Sequence, residues 1–172
     1  CSEVDPVAPK SPYATSKLAA ELVARQFFAS YGLDVVIARS FNHVGPGQDE
    51  RFVIPALARQ IKAAQEGKAS PRVMVGNLDP IRDFSSVHDV VEAYRILLLR
   101  GVSGEVYNVC SGRAQSIHDV VSQLVKAAGV EIELVVDPAR VRPSDIARLV
   151  GNPQKINALG WRAHRPPLAG IV

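Results

Sequence analysis

The chain has 172 residues, a formal net charge of +3, 47% hydrophobic and 22% charged residues, the make-up of an ordinary globular domain or of two small lobes. No run of about eighteen apolar residues occurs, so no membrane-spanning helix is expected, and the opening CSEVDPVAPK lacks the basic and apolar stretches of a secretory leader. The arginines are interspersed with acids such as Asp34, Asp79, Asp83 and Glu92 and form no basic run, which argues against nucleic acid and for a small anionic ligand.

The first twelve residues are punctuated by Pro6, Pro9 and Pro12 and read as an extended loop. A helix follows from Pro12, with Leu18, Leu22, Val23 and Phe27 at helical spacing and Gly32 as its stop. Residues 34–40, DVVIARS, are β-branched without alternation, the pattern of a parallel strand buried on both faces. FNHVGPGQDE reads as a loop. A helix is expected from Phe52 to Gly67, then a strand at RVMVG and another over residues 82–87. The helix HDVVEAYRILLLRG follows, with Val90, Ala93, Tyr94 and Leu97 on one side. Residues 105–110, EVYNVC, read as a second central strand. SIHDVVSQLVKAAG is a helix capped by Ser116 and stopped by Gly129. A strand at EIELVVD and a short helix at NPQKINALGW complete the order. Strands and helices alternate throughout, which indicates an α/β protein.

Tyr13 and Lys17 lie four apart in SPYATSK, so on a helix they project together, one turn apart. An ammonium beside a phenol stabilises the phenolate and moves proton loss down from its usual value of about 10, which suits a phenol to proton transfer. The same spacing also fits a lysine snorkelling past a half-buried ring. His43, His88 and His118 lie in three separate elements without ligand spacing, so no metal is expected. Cys1 and Cys110 form neither a metal set nor a disulfide framework, and a reducing, cytoplasmic setting is the expectation.

SPYATSKLAAE, then ARSFNHVGPGQ, then IRDFSSVHDVVEAY and VYNVCSG stand in an order and spacing that resembles the extended short-chain dehydrogenase/reductase family acting on nucleotide sugars. The likeness is closest to its GDP-4-keto-6-deoxymannose reductase branch and covers nearly the whole chain. It implies the C-terminal part of a doubly wound, Rossmann-type parallel sheet with a smaller substrate-binding lobe. Residues 1–50 would belong to the Rossmann-type part and residues 51–172 to the lobe, interleaved with a returning strand at about 105–110.

The resemblance also implies roles. Tyr13 would be the catalytic proton donor and Lys17 its partner, both touching an NADP or NAD cofactor. Phe41, Asn42, His43 and Val44 would lie against the nicotinamide. Asn42, Val53, Arg82, Arg142 and Asp145 would bind a GDP-linked sugar, the two arginines on its diphosphate and Asp145 on the ribose, since guanidinium forks match phosphate oxygens. Phe52 to Ile54 and Val75 to Asn77 would flank the base. From the residues alone, Asn42 also reads as a turn residue before Gly45, and Arg82 as a surface charge or an ion pair with Asp83.

The family's glycine-rich cofactor turn does not occur, and neither does its catalytic Ser or Thr; Ser2 stands too near Tyr13 for that role. The chain therefore reads as the C-terminal part of a longer enzyme, inactive alone and homodimeric when intact. A 4,6-dehydratase, an epimerase or a non-catalytic sugar-nucleotide-binding module are the alternatives.

Overall fold

The computed structural model describes residues 1–141, 146–169 and 171. The N-terminal segment has no regular element, but it is tied down. The Cys1 carbonyl accepts from Asn152 N at 2.7 Å and from Asn108 Nδ2 at 3.2 Å, and Glu3 Oε1 accepts from Asn108 N at 2.8 Å.

Helix α1 (Pro12–Tyr31) starts where Ser11 Oγ accepts from Ala14 N and proline takes the first position, whose N–H needs no partner. It ends at Gly32, which adopts the left-handed conformation. Despite its apolar spacing, no residue of α1 is fully buried.

Strand β1 (Ile37–Ser40) is shorter than expected and is buried fully only at Ile37. After the three-residue β2 (Asn42–Val44) come α2 (Val53–Gln65), β3 (Arg72–Val75), β4 (Ile81–Arg82), β5 (Phe84–Ser86) and α3 (Val87–Arg100). Strand β6 (Val106–Val109) is buried at all four positions, as its apolar run suggests. It pairs parallel with β1, Ile37 opposite Val106 and Ser40 opposite Val109. Next are β7 (Gln115–Ser116), α4 (Ile117–Ala128), β8 (Glu133–Val136), a 3-10 turn at Pro138–Arg140, β9 (Arg148–Leu149) and α5 (Gln154–Ala158). Ser116 and Asp119 form a reciprocal cap at the start of α4, and Gly129 closes it in the left-handed conformation.

Two cores result. One joins Val44, α2, β3, Phe84 and α4. The other joins α3, β6, Ile156 and Trp161. Strands β3 and β8 pair parallel. Strand β4 sits between β7 and β9 in a small sheet. The C-terminal segment latches onto the start of α3. Trp161 Nε1 donates to the Asp89 carbonyl at 2.9 Å, and the His164 and Arg165 N–H groups both reach Asp89 Oδ2 at 3.0 Å.

Two expectations need correction. The stretch FNHVGPGQDE is not all loop, because β2 pairs parallel with β5, Asn42 opposite Phe84 and Val44 opposite Ser86. Residues 82–87 are not one strand. The chain breaks at Asp83, whose wholly buried carboxylate accepts from Ser111 N at 2.8 Å and Ser111 Oγ at 2.6 Å. It also accepts from Gly112 N at 2.9 Å and Gly151 N at 3.2 Å. A carboxylate taken from water needs such donors, so Asp83 is committed inward rather than to Arg82.

Candidate active site

Tyr13 stands in the first turn of α1 with 72% of its surface exposed. The Lys17 ammonium lies 5.5 Å from the centre of its ring. Below them Arg39 of β1 grips Glu21 of α1 with two parallel bonds, Nε to Oε2 at 2.8 Å and Nη2 to Oε1 at 2.7 Å. These bonds and the guanidinium charge hold the Glu21 carboxyl below its ordinary range and raise Arg39 in turn.

From β1 the chain passes through Phe41 into β2. Strand alternation turns His43 outward and Val44 inward. The His43 ring bonds the Phe41 carbonyl through Nδ1 at 3.1 Å. Phe41 rests against Gly151, where a Cβ would stand 2.9 Å from Phe41 Cε2 and 2.4 Å from Cys110 Sγ, so the residue must be glycine. Burial pushes the Cys110 thiol up to about 12, with the Asp83 charge adding to the effect.

Tyr13, Phe41, Asn42, His43, Val53 and Arg82 all line one cleft of about 1110 Å³. Two expected residues do not. Val44 is buried in the core with Ile54 and Leu57, so only its backbone is left for a ligand. Lys17 stays outside the cleft lining and reaches it through Tyr13. Arg142 and Asp145 lie outside the described residues. Phe52, Val75, Gly76 and Asn77 also border the cleft. The Val75 side chain is nevertheless part of the core.

Arg82 is more than a surface charge: Nη1 donates to the Ile81 carbonyl at 2.9 Å and the Ile146 carbonyl at 2.6 Å. Arg140, which the sequence reading does not single out, also lines the cleft, with its Nε donating to Asp137 Oδ2 at 3.1 Å. Arg140 arrives because the 3-10 turn packs against Gly76, where a Cβ would meet the Arg140 carbonyl oxygen at 2.6 Å. The glycine closing RVMVG was the available signal. Arginines 39, 51, 82 and 140 line the cleft together with Glu50; Arg39 is paired with Glu21, Arg51 with Asp49 and Arg140 with Asp137, while Glu50 pairs with Arg59 at 2.7 Å. The guanidinium N–H groups at this edge suit an anion with several oxygens.

Among the described residues, Asp89, Glu92 and His164 come close enough to share a cation. The Arg165 guanidinium already bridges Asp89 and Glu92 and supplies that charge.

An α/β fold of mainly parallel strand pairs, with Tyr13 opening onto an arginine-edged cleft, is of the Rossmann type found in nucleotide-sugar epimerases, dehydratases and reductases. The chain belongs to the GDP-mannose 4,6 dehydratase family, whose model matches residues 1–166. It is 45% identical over 155 residues to the GDP-6-deoxy-D-mannose reductase of Pseudomonas aeruginosa, covering 90% of this chain and 51% of that protein. To the human dTDP-D-glucose 4,6-dehydratase it is 34% identical, covering 98% of this chain and 48% of the other. The solved structure of RMD from Pseudomonas aeruginosa complexed with NADPH superposes with a TM-score of 0.90 at 41% identity, over 98% of this chain and 56% of that one. That of DesIV, a dTDP-glucose 4,6-dehydratase from Streptomyces venezuelae with NAD and TYD bound, gives 0.82 at 27% identity, over 99% and 52%. The chain thus spans about half the length of the curated relatives it matches. No helix among the described residues is long and apolar enough to cross a membrane.

Proposed function

We propose that the protein carrying this chain is an NADPH- or NADH-dependent nucleotide-sugar reductase. Its reaction is reduction of the 4-keto group of GDP-4-keto-6-deoxy-D-mannose to GDP-6-deoxy-D-mannose. The reading rests on one observation: Tyr13 opens onto the same cleft as Asn42 and Arg82.

The phenol, carboxamide and imidazole of Tyr13, Asn42 and His43 fit a polar, planar nicotinamide, with Phe41 beside them and the Val44 backbone behind. A bound reduced nicotinamide supplies the hydride. Tyr13 donates its hydroxyl proton to the carbonyl oxygen as negative charge gathers there. Lys17, 5.5 Å from the centre of the Tyr13 ring, would offset the charge left on the phenol and would be the residue to hold the cofactor's ribose. Arg82 and Arg140 hold the diphosphate, while Phe52 and Val53 at the start of α2 flank the nucleoside. In this reading residues 1–50 and β6 form the cofactor side, and residues 51–172 the substrate lobe. Two copies associate through the exposed Leu22, Val23, Phe27 and Tyr31 of α1.

Incubating the full-length protein with NADPH and GDP-4-keto-6-deoxy-D-mannose tests the reading, with the sugar product followed by NMR. NADPH consumption with formation of GDP-6-deoxy-D-mannose is expected, and its absence overturns the assignment. The matching family model favours a second reading, a 4,6-dehydratase. It would be established by loss of water from GDP-mannose without net NADPH consumption.

A further inference from the structure

We propose that Arg39 and Glu21 are positioning residues: their two-bond ion pair sets the rotation of α1 against β1, and with it the direction in which Tyr13 enters the cleft. The inference rests on the reductase reading above.

Helix α1 carries Tyr13 and Lys17 yet has no fully buried residue, and its most protected side chain near them is polar. The Glu21 side chain is only 9% exposed and that of Arg39 23%, and the Arg39 guanidinium also donates to the Glu3 carbonyl at 3.1 Å. A planar fork on a planar carboxylate permits one relative orientation, which a single ammonium does not impose. Glu21 continues the row of Tyr13 and Lys17 at four-residue steps, about 12 Å along the axis from Tyr13. Phe28 supplies another anchor against Gly104, where a Cβ would meet its ring at 2.4 Å. That anchor lies beyond Glu21, so the ion pair is the nearer restraint on the phenol.

Rotation by about 10° carries a side-chain tip at the rim of a helix by about 1 Å. Misplacement on that scale costs about a hundredfold in rate. Arg39 leads through Ser40 and Phe41 directly to Asn42, so one interaction couples both walls of the cleft.

The test is the full-length enzyme carrying Glu21→Gln, Arg39→Lys or both. Each single change is expected to lower kcat about ten- to a hundredfold, with KM for the nucleotide sugar within about twofold because the Arg82 edge is untouched. The double variant is expected to fall no further than the worse single one. An unchanged kcat, or falls that multiply and are matched by a rise in KM, overturns the proposal. A wild type without turnover refutes the reductase reading instead. The pair is then judged by the ¹⁹F spectrum of 3-fluorotyrosine at position 13: a shifted resonance in both variants supports positioning, and an unmoved one overturns it.

Discussion

Asp83 receives both the backbone N–H and the hydroxyl of Ser111, at 2.8 and 2.6 Å, across twenty-eight residues of chain. With Gly112 and Gly151 also donating, this carboxylate fastens the strand that carries Arg82 to the end of β6. Asp83→Asn turns an amide N–H₂ toward N–H donors and is expected to lower unfolding free energy by about 3 kcal/mol. Ser111→Ala, which removes one donor of four, costs about 1 kcal/mol. Urea denaturation of the two variants checks the order.

The phenol of Tyr13 is the group assigned to proton transfer. Tyr13→Phe is expected to lower kcat by about a hundred- to ten-thousandfold. Nucleotide-sugar affinity, read by calorimetry, stays near wild type, because Arg82 and Arg140 are distant in sequence and unaltered. Arg82→Ala is expected to do the reverse, weakening binding by about tenfold or more.

Stability at acid pH depends on Glu21. Its carboxyl titrates below the ordinary value of about 4.5 because Arg39 bonds its ionised form. A depressed group stabilises the fold fully above its unfolded value and loses that contribution as pH falls through the folded one. The difference in melting temperature between wild type and Glu21→Gln should therefore be widest near neutrality and shrink below about pH 4.

Cys110 gives the opposite dependence. Its thiol is raised to about 12 in the fold, so it stays neutral while the unfolded chain ionises from about 8.5 upward. Its contribution is fully present below that value and is lost as pH rises toward 12. In the native protein at pH 8, Ellman's reagent should react with exposed Cys1 and not with buried Cys110. Both should react after denaturation.

Gly151→Ala places a methyl against Cys110 Sγ and Phe41. Overpacking at this point costs about 2 kcal/mol, and the displaced ring also narrows the cleft. Lower thermal stability together with weaker cofactor binding by fluorescence titration is the expected pair of results.

Much of this architecture is legible locally. Ser11, Pro12 and Gly32 mark both ends of α1, and Ser116, Asp119 and Gly129 those of α4, because caps act within one turn. Motif order groups Tyr13, Asn42, Val53 and Arg82, and these four line one cleft. What escaped depends on distant partners. Strand β2 has three residues and exists only beside Phe84–Ser86. The break at Asp83 is made by donors at Ser111, Gly112 and Gly151. Arg140 reaches the cleft through the lack of a side chain at Gly76. Val44 faces the core because β2 alternates, which could not be foreseen while the segment read as loop. The apolar side chains Leu22, Val23, Phe27 and Tyr31 of α1 are exposed, while the Glu21–Arg39 ion pair that joins the helix to β1 depends on a partner far along the chain.

The β1–β6 ladder, Ile37 against Val106, has a consequence for synthesis on the ribosome. At about 5–20 residues per second, β1 leaves the tunnel roughly several seconds before its partner has been made. Its backbone edge stays unsatisfied in the meantime, a period in which a chaperone that shields nascent strands should raise the yield of native protein.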